Sequence, residues 1–118
     1  MTFAMSNRSP QLLLEDILEA ARKTQKYTNG FTFEQFKADS KTIDAVVRNF
    51  EVIGEAANRL TDEFKLKNSN IDWNRIRGFR NRIVHDYFGI DHEIVWNITQ
   101  NYLPGLITAI ESVDHLSD

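Results

Sequence analysis

The sequence contains no cysteine, and only two prolines and five glycines occur among its 118 residues. The lack of cysteine excludes a disulfide framework, a thiolate nucleophile and a metal site with cysteine ligands. No apolar run is long enough for a membrane-spanning helix, and residues 1–10 lack the apolar segment of a signal peptide. We therefore expect a cytoplasmic protein that makes no contact with membranes.

The net charge is small, and the basic residues are unevenly distributed. The formal net charge of −3 argues against nonspecific binding to nucleic acid. Four arginines nevertheless occupy one short segment: Arg75, Arg77, Arg80 and Arg82. Such a local basic patch on an acidic protein indicates contact with phosphate groups. The alternative is a solvated helix face whose arginines pair with acidic neighbours.

Apolar residues recur at steps of three and four along most of the chain, which is the spacing of amphipathic helices. The sequence has no strand alternation, no internal repeat and no glycine-rich phosphate loop. A chain of this length can bury its own core. We predict one all-α domain over residues 1–118, an up-and-down bundle of four to five helices, with residues 1–8 disordered.

Capping residues and helix breakers give the expected helix bounds. Four main helices and one short turn are predicted: Ser9 to about Lys26, a turn at the Thr32–Gln35 capping box, Ser40 to about Leu66, Asp72 to Phe88 with Gly89 as its C-cap, and a last helix from Asp91 to about Val113. Pro104 lies inside the last pattern and should kink that helix or split it in two.

The longest predicted helix carries a glycine and two carboxylates of interest. Gly54 costs about 1 kcal/mol of helix propensity relative to alanine, which suggests the close approach of another helix. Glu51 and Glu55 are four residues apart and raise the question of acid–base or metal chemistry. Because no histidine stands at ligand spacing, ion pairing with helix arginines is the favoured interpretation.

The segment from Arg80 to Tyr87 contains an arginine, a histidine five residues later and a tyrosine two residues after that. On an ideal helix Arg80 falls on the apolar stripe with Ile76 and Ile83, so its charge requires an anionic partner or a path to water. His85 lies about 140° further around the helix. Two side chains that act on one phosphate should converge, so either the helix is distorted or a second chain completes the site.

His85 is predicted to lie in the last helical turn, where the helix dipole favours an imidazolium. That location suits a group that gives or takes a proton at neutral pH. The alternative from the residues alone is that Arg80 extends from the core to solvent and His85 only caps the helix. By the same reasoning, Tyr87 alone would be an ordinary packing residue at the edge of the stripe.

These residues resemble a known family. The pattern Arg-x4-His-x-Tyr at Arg80, His85 and Tyr87, and the whole block 73–91, resemble the third-helix block of HepT-like toxins, a branch of the HEPN ribonuclease superfamily. Residues 51–60, Glu-Val-Ile-Gly-Glu-Ala-Ala-Asn-Arg-Leu, resemble the second-helix motif of that family. The likeness extends over roughly residues 10–113. Asp86 departs from the pattern, because the family often has glycine or another small residue there.

The resemblance implies a HEPN-like bundle that acts as a metal-independent endoribonuclease toxin without a cofactor, cleaving RNA and in particular tRNA. It implies a homodimer in which both copies of Arg80 and His85 line a cleft. His85 would serve as general acid or base and Arg80 would hold the scissile phosphate. The implied supporting residues are Asn81 and Glu55, and the implied contacts to flanking RNA backbone are Arg75, Arg77 and Arg82.

The resemblance also implies a partner. In HepT-like toxins a small nucleotidyltransferase antitoxin adds AMP to the tyrosine of the motif, here Tyr87. Added bulk and negative charge beside Arg80 would compete with a substrate phosphate. A competing hypothesis is a non-catalytic helical module that only docks onto the nucleotidyltransferase.

Overall fold

The protein is described by a computed structural model covering residues 8–79, 84–85 and 89–113, with residues 84–85 described by their backbone alone. The all-α prediction is confirmed, with one small two-stranded ladder added. The elements are α1 (Pro10–Thr28), α2 (Phe33–Lys37), α3 (Ser40–Arg59), α4 (Asp62–Lys67), α5 (Trp73–Arg77), β1 (Val84–His85), β2 (Gly89–Ile90), α6 (His92–Asn97), a π-helical turn (Ile98–Tyr102) and α7 (Leu103–Glu111).

The first two helices begin where their capping residues predict. The Ser9 hydroxyl accepts a hydrogen bond from the Leu12 amide at 3.2 Å, and Pro10 opens α1. The predicted capping box at Thr32 and Gln35 is present in both directions at the start of α2. Arg8 donates a hydrogen bond to Asp16 at 3.0 Å, although it belongs to the segment predicted as disordered. Residues 1–7 lie outside the described residues.

The predicted helix from Ser40 to about Leu66 begins at Ser40 as expected, although its N-cap lies one residue earlier, and its end is wrong. Asp39 is the N-cap, because its carboxylate accepts from the Thr42 amide, and Ser40 is the first helical residue. The helix stops at Arg59, and the Thr61 hydroxyl caps a separate α4 by accepting from the Phe64 amide at 3.1 Å. A threonine followed by acidic residues offers the backbone a new helix start, which competes with continuation of α3.

The core forms mainly between α1 and α3, with α7 packed against α1 and α5 against α3. Its largest fully buried side chains come from all of these helices: Leu13, Leu14, Ile17, Phe36, Phe50, Ile53, Ile76, Phe79, Ile98, Leu103 and Ile110. Along α3, the buried residues recur at the predicted steps of three and four, so the apolar face of this helix is confirmed as core: Ile43, Val46, Phe50, Ile53 and Ala57. Among the helices of the described residues, none has the length and apolar composition needed to cross a lipid bilayer.

The last predicted helix is interrupted near Pro104, as expected, by a widened turn. The Leu103 amide donates to the Ile98 carbonyl, five residues back, which defines the π-helical turn. Pro104 has no amide hydrogen to donate into the preceding turn, so it occupies the start of α7, where none is needed. The chain thus continues from α6 to α7 with a changed helical phase.

The predicted helix from Asp72 to Phe88 is also wrong. Asp72 caps it as expected, but α5 ends at Arg77, and the Gly78 amide closes it by donating to the Asn74 carbonyl. Further on, β1 pairs with β2 in antiparallel register, with Val84 opposite Ile90 and His85 opposite Gly89. The β-branched residues of this pair suit extended backbone. Gly89 has a positive φ of 77°, but it lies in the ladder rather than at a helix end.

Candidate functional site

The five-residue helix α5 is held at its start by Asp72, whose carboxylate accepts from the Arg75 amide at 3.1 Å. Ile76 and Phe79 point into the core and are fully buried, as their positions on the apolar stripe predict. Arg75 and Arg77 are exposed. The segment therefore fixes its backbone through apolar side chains and presents its arginines to solvent.

Arg75 and Arg77 pair with none of the described carboxylates. In the part of the chain that the structure describes, neither Arg75 nor Arg77 forms an ion pair. The alternative of a helix face neutralised by acidic neighbours is therefore not what is observed at these positions. Unpaired guanidinium groups on a short rigid helix can bind external phosphate.

Gly54 brings α3 against the end of α5. A Cβ atom at this position would lie 3.5 Å from the Ile76 carbonyl oxygen and 3.7 Å from that of Arg77. This confirms the predicted close approach of another helix. The backbone of α3 thus supports the point at which the chain enters the Arg80–Tyr87 segment.

The residue after Gly54 is Glu55, which pairs with Arg59 one turn later on α3 at 2.8 Å. The interpretation of Glu55 as an ion-pair partner of a helix arginine is confirmed. Its supporting role at the reaction site stays a prediction. Among the described residues outside the two strands, no three side chains of His, Asp or Glu converge as a metal site would require.

A stack of three side chains joins α5 to the π-helical turn. The Arg75 guanidinium carbon lies 4.3 Å from the centroid of the Tyr102 ring. The Phe79 ring meets the same tyrosine at 5.6 Å and 88°, an edge-to-face contact. Burial raises the pKa of the Tyr102 phenol above its usual value of 10, against the opposing effect of nearby Arg75. The cation–π contact itself follows from the position of the guanidinium over the ring face.

A second basic group lies beside α5. Lys65 of α4 is half-buried, and burial, together with the nearby charge of Arg77, lowers the pKa of its ammonium group. Sequence analysis missed both Lys65 and Tyr102. Lys65 falls inside the helix predicted from Ser40 to about Leu66, and Tyr102 falls inside the helix predicted from Asp91 to about Val113; neither prediction relates them to α5. Their relation to α5 depends on tertiary contacts that leave no local signal.

The predicted catalytic residues can be placed only in part. The backbone of His85 is in β1, so it does not lie in the last turn of a helix, and the helix-dipole argument for its charge does not apply. The 140° separation from Arg80 was derived for an ideal helix, and it does not apply because Val84 and His85 have extended backbone. The other motif residues lie outside the described residues: Arg80, Asn81, Arg82, Asp86 and Tyr87.

Comparisons with known proteins agree with the motif. The family model described as ribonuclease HepT-like matches residues 17–113. The chain is 38% identical to a Methanocaldococcus jannaschii protein named "Putative RNase MJ0127", covering 92% of this chain and 90% of that protein. It is 36% identical to "Probable ribonuclease HepT" of Thermococcus cleftensis, covering 84% of this chain and 90% of that protein.

A third relative, "Putative RNase TTE0752" of Caldanaerobacter subterraneus, is 33% identical over 90% of this chain and 95% of its own length. No solved structure gives a significant match. The family model and the relatives both cover almost the whole chain, including the arginine-rich segment. The chain therefore belongs to the ribonuclease HepT-like family.

Proposed function

We propose that this chain is a metal-independent endoribonuclease toxin that cleaves RNA, with tRNA as its preferred class of substrate. The observation that carries the proposal is the family match over residues 17–113, which includes the intact Arg-x4-His pattern at Arg80 and His85. The exposed arginines of α5 support it, because Arg75 and Arg77 form no ion pair with the carboxylates that the structure describes, and a phosphodiester substrate would supply anions for them.

The proposed reaction uses the RNA's own 2′-hydroxyl. A base removes its proton, the 2′-oxygen attacks the adjacent phosphorus, and the bond from phosphorus to the 5′-oxygen breaks as that oxygen takes up a proton. The products are a 2′,3′-cyclic phosphate and a 5′-hydroxyl. His85 acts in proton transfer, and Arg80 holds the phosphate and offsets the charge that develops on it.

The remaining motif residues take supporting roles in this proposal. Asn81 orients the phosphate, and Arg75, Arg77 and Arg82 bind the flanking backbone, which positions the RNA without reading its sequence. Glu55 acts indirectly, through the part of α3 that packs against the end of α5.

We further propose that two copies form a homodimer with both motifs at a shared cleft, as the family resemblance implies. The ideal-helix geometry no longer argues for a second copy, because His85 lies in an extended segment. The dimer therefore rests on the resemblance. Measurement of the molar mass in solution tests it, and a monomer that cleaves RNA at full rate contradicts it.

Neutralisation by a nucleotidyltransferase antitoxin completes the proposal. The Tyr87 phenol oxygen attacks the α-phosphate of ATP, its proton is lost, and pyrophosphate leaves. Mass spectrometry after co-expression with a cognate nucleotidyltransferase should detect one AMP unit or more on Tyr87 and none on Tyr87→Phe. An unmodified tyrosine in a neutralised complex would refute this mechanism.

The decisive experiment is cleavage of purified tRNA and total RNA in EDTA by the wild type, His85→Ala and His92→Ala. His92 lies in α6 outside the motif and serves as the matched histidine control. We expect cleavage by the wild type and the control, with cyclic phosphate ends, and none by His85→Ala with an unchanged circular dichroism spectrum. Retained activity in His85→Ala overturns the catalytic assignment. If no form cleaves RNA while all bind the nucleotidyltransferase, the chain is a docking module.

A further inference from the structure

We propose that Tyr102 is a positioning residue for RNA: its ring orients the Arg75 guanidinium so that the edge of that group meets a backbone phosphate. The inference deepens the proposed function, on which it rests for the identity of the ligand. It assigns a role to a residue that lies 22 positions beyond Arg80 in the sequence and outside the motif.

The first support is the stack itself. The guanidinium carbon of Arg75 lies 4.3 Å from the Tyr102 ring centroid, which is the distance of a face-on cation–π contact. A guanidinium held over a ring by its carbon keeps the N–H groups that face away from the ring available to other partners. Those N–H groups form the fork that binds phosphate in two-point fashion.

The second support is that nothing else described holds this side chain. Arg75 is exposed and forms no ion pair with any described carboxylate. A long flexible side chain pays rotamer entropy whenever it binds a ligand. A ring that already restrains the guanidinium reduces that cost, so the binding gain comes from preorganisation.

The third support is that the ring is itself clamped. Phe79 contacts Tyr102 edge to face at 5.6 Å, and Phe79 in turn lies 5.4 Å from Phe50 in α3. Both Phe79 and Phe50 are fully buried. The orientation of Arg75 is therefore tied to the core through a chain of three rings, rather than to a mobile surface side chain.

The π-helical turn explains how Tyr102 reaches this position. One extra residue in the turn before α7 changes the angular position of Tyr102 relative to a regular helix. Such turns are frequent at functional sites because they are costly to keep for packing alone. Here the turn ends at the tyrosine that carries the stack.

RNA binding by a cleavage-blocked protein tests the proposal. In a His85→Ala background, the dissociation constant for tRNA is measured as a function of salt for Arg75→Ala, Tyr102→Leu and the double variant. We expect each single change to weaken binding by about three- to tenfold and to lower the salt slope by about one. Adding Tyr102→Leu to Arg75→Ala should change binding less than about twofold, since the two act as one unit.

Two controls separate positioning from folding. Tyr27→Leu removes an exposed tyrosine from α1 and should leave binding unchanged. Arg75→Lys keeps the charge at an exposed site that tolerates substitution, so it remains informative even if Tyr102→Leu fails to fold. We expect Arg75→Lys to bind almost as weakly as Arg75→Ala, because an ammonium lacks the planar fork.

Three results overturn the inference: additive effects in the double variant, full affinity in Arg75→Lys, or no RNA binding at all. Wild-type cleavage is measured in parallel. RNA that is bound with the expected coupling but never cleaved by the wild type leaves the positioning role intact and refutes the ribonuclease proposal instead.

Discussion

Helices α1 and α5 treat the same residue type in opposite ways. Along α1, two of the three cations are matched within the molecule: Arg22 pairs with Glu111 of α7, and Lys23 with Glu19 of the same helix. The third, Lys26 at the end of α1, has no ion pair among the described residues. On α5 the exposed Arg75 and Arg77 have no such partner among the described residues. Under the proposed function, what distinguishes α5 from α1 is that both of its exposed arginines lack a described counter-ion, and not its number of arginines.

Separation of α5 from α3 should give the largest effect. Gly54→Leu places a side chain where a Cβ alone would touch two carbonyl oxygens. We therefore expect the free energy of unfolding to fall by about 1–3 kcal/mol and RNA binding to be lost. Urea denaturation and an RNA binding assay measure both. Gly105→Leu in α7 is the matched control, because a Cβ there meets nothing within 4 Å. Equal losses of stability and RNA binding in the two variants would show that the contact between α3 and α5 is no more important than the surface around Gly105.

Replacement of one arginine by alanine in each helix compares α5 and α1 directly. Arg77→Ala should weaken RNA binding by about tenfold, or roughly 1.4 kcal/mol, and lower the salt slope by about one. Arg22→Ala removes an exposed ion pair and should change stability by less than about 1 kcal/mol, with unchanged RNA affinity. If both variants bind RNA equally, the contrast between the helices has no functional meaning.

Alkaline pH should loosen the stack that supports α5. Burial raises the pKa of Tyr102 in the folded state, so the unfolded chain loses this proton first. The stability contributed by the neutral phenol is complete below pH 10 and is lost as the pH rises through the folded pKa. The wild type should therefore lose more stability than Tyr102→Phe between about pH 9 and 12. Parallel melting curves for the two proteins over that range would contradict this.

Lys65 should give the smallest effect. Burial and Arg77 lower its pKa, so its charge opposes folding at neutral pH, and the penalty is relieved as pH rises toward 10.5. We expect Lys65→Gln to raise Tm by no more than about 2 °C in low salt, and less in high salt, by differential scanning calorimetry. A lowered Tm would show that Lys65 stabilises the fold through other contacts, and that these outweigh the effect of its charge.

Local signals in the sequence predicted much of this fold. The caps at Ser9, Thr32, Asp72 and Asp91 form as expected, because each depends on a side chain and an amide three residues away. The buried stripe of α3 follows from spacing alone.

The failures come from competition between local signals and from distant contacts. The apolar patterns of α3 and α5 continue beyond Thr61 and Gly78, yet neither helix extends past these residues. The hydrogen bonds of the caps at these residues stabilise a helix boundary more than one further helical turn would stabilise the helix. The stack of Arg75 on Tyr102 joins residues 27 positions apart through tertiary packing. The spacing of apolar residues in either segment gives no indication that these two side chains are in contact.

The π-helical turn has a consequence for how this protein tolerates changes in length. The wide turn holds one residue more than a regular helical turn, and the Leu103 amide reaches the Ile98 carbonyl across it. Removal of one residue between them would leave an ordinary bond four residues back, so the turn could close as a regular helix while α6 and α7 keep their relative orientation. Gln100 and Asn101 are exposed, so substitution or loss of one of them should leave α7 packed on the core, whereas insertion of a further residue has no wider turn to occupy.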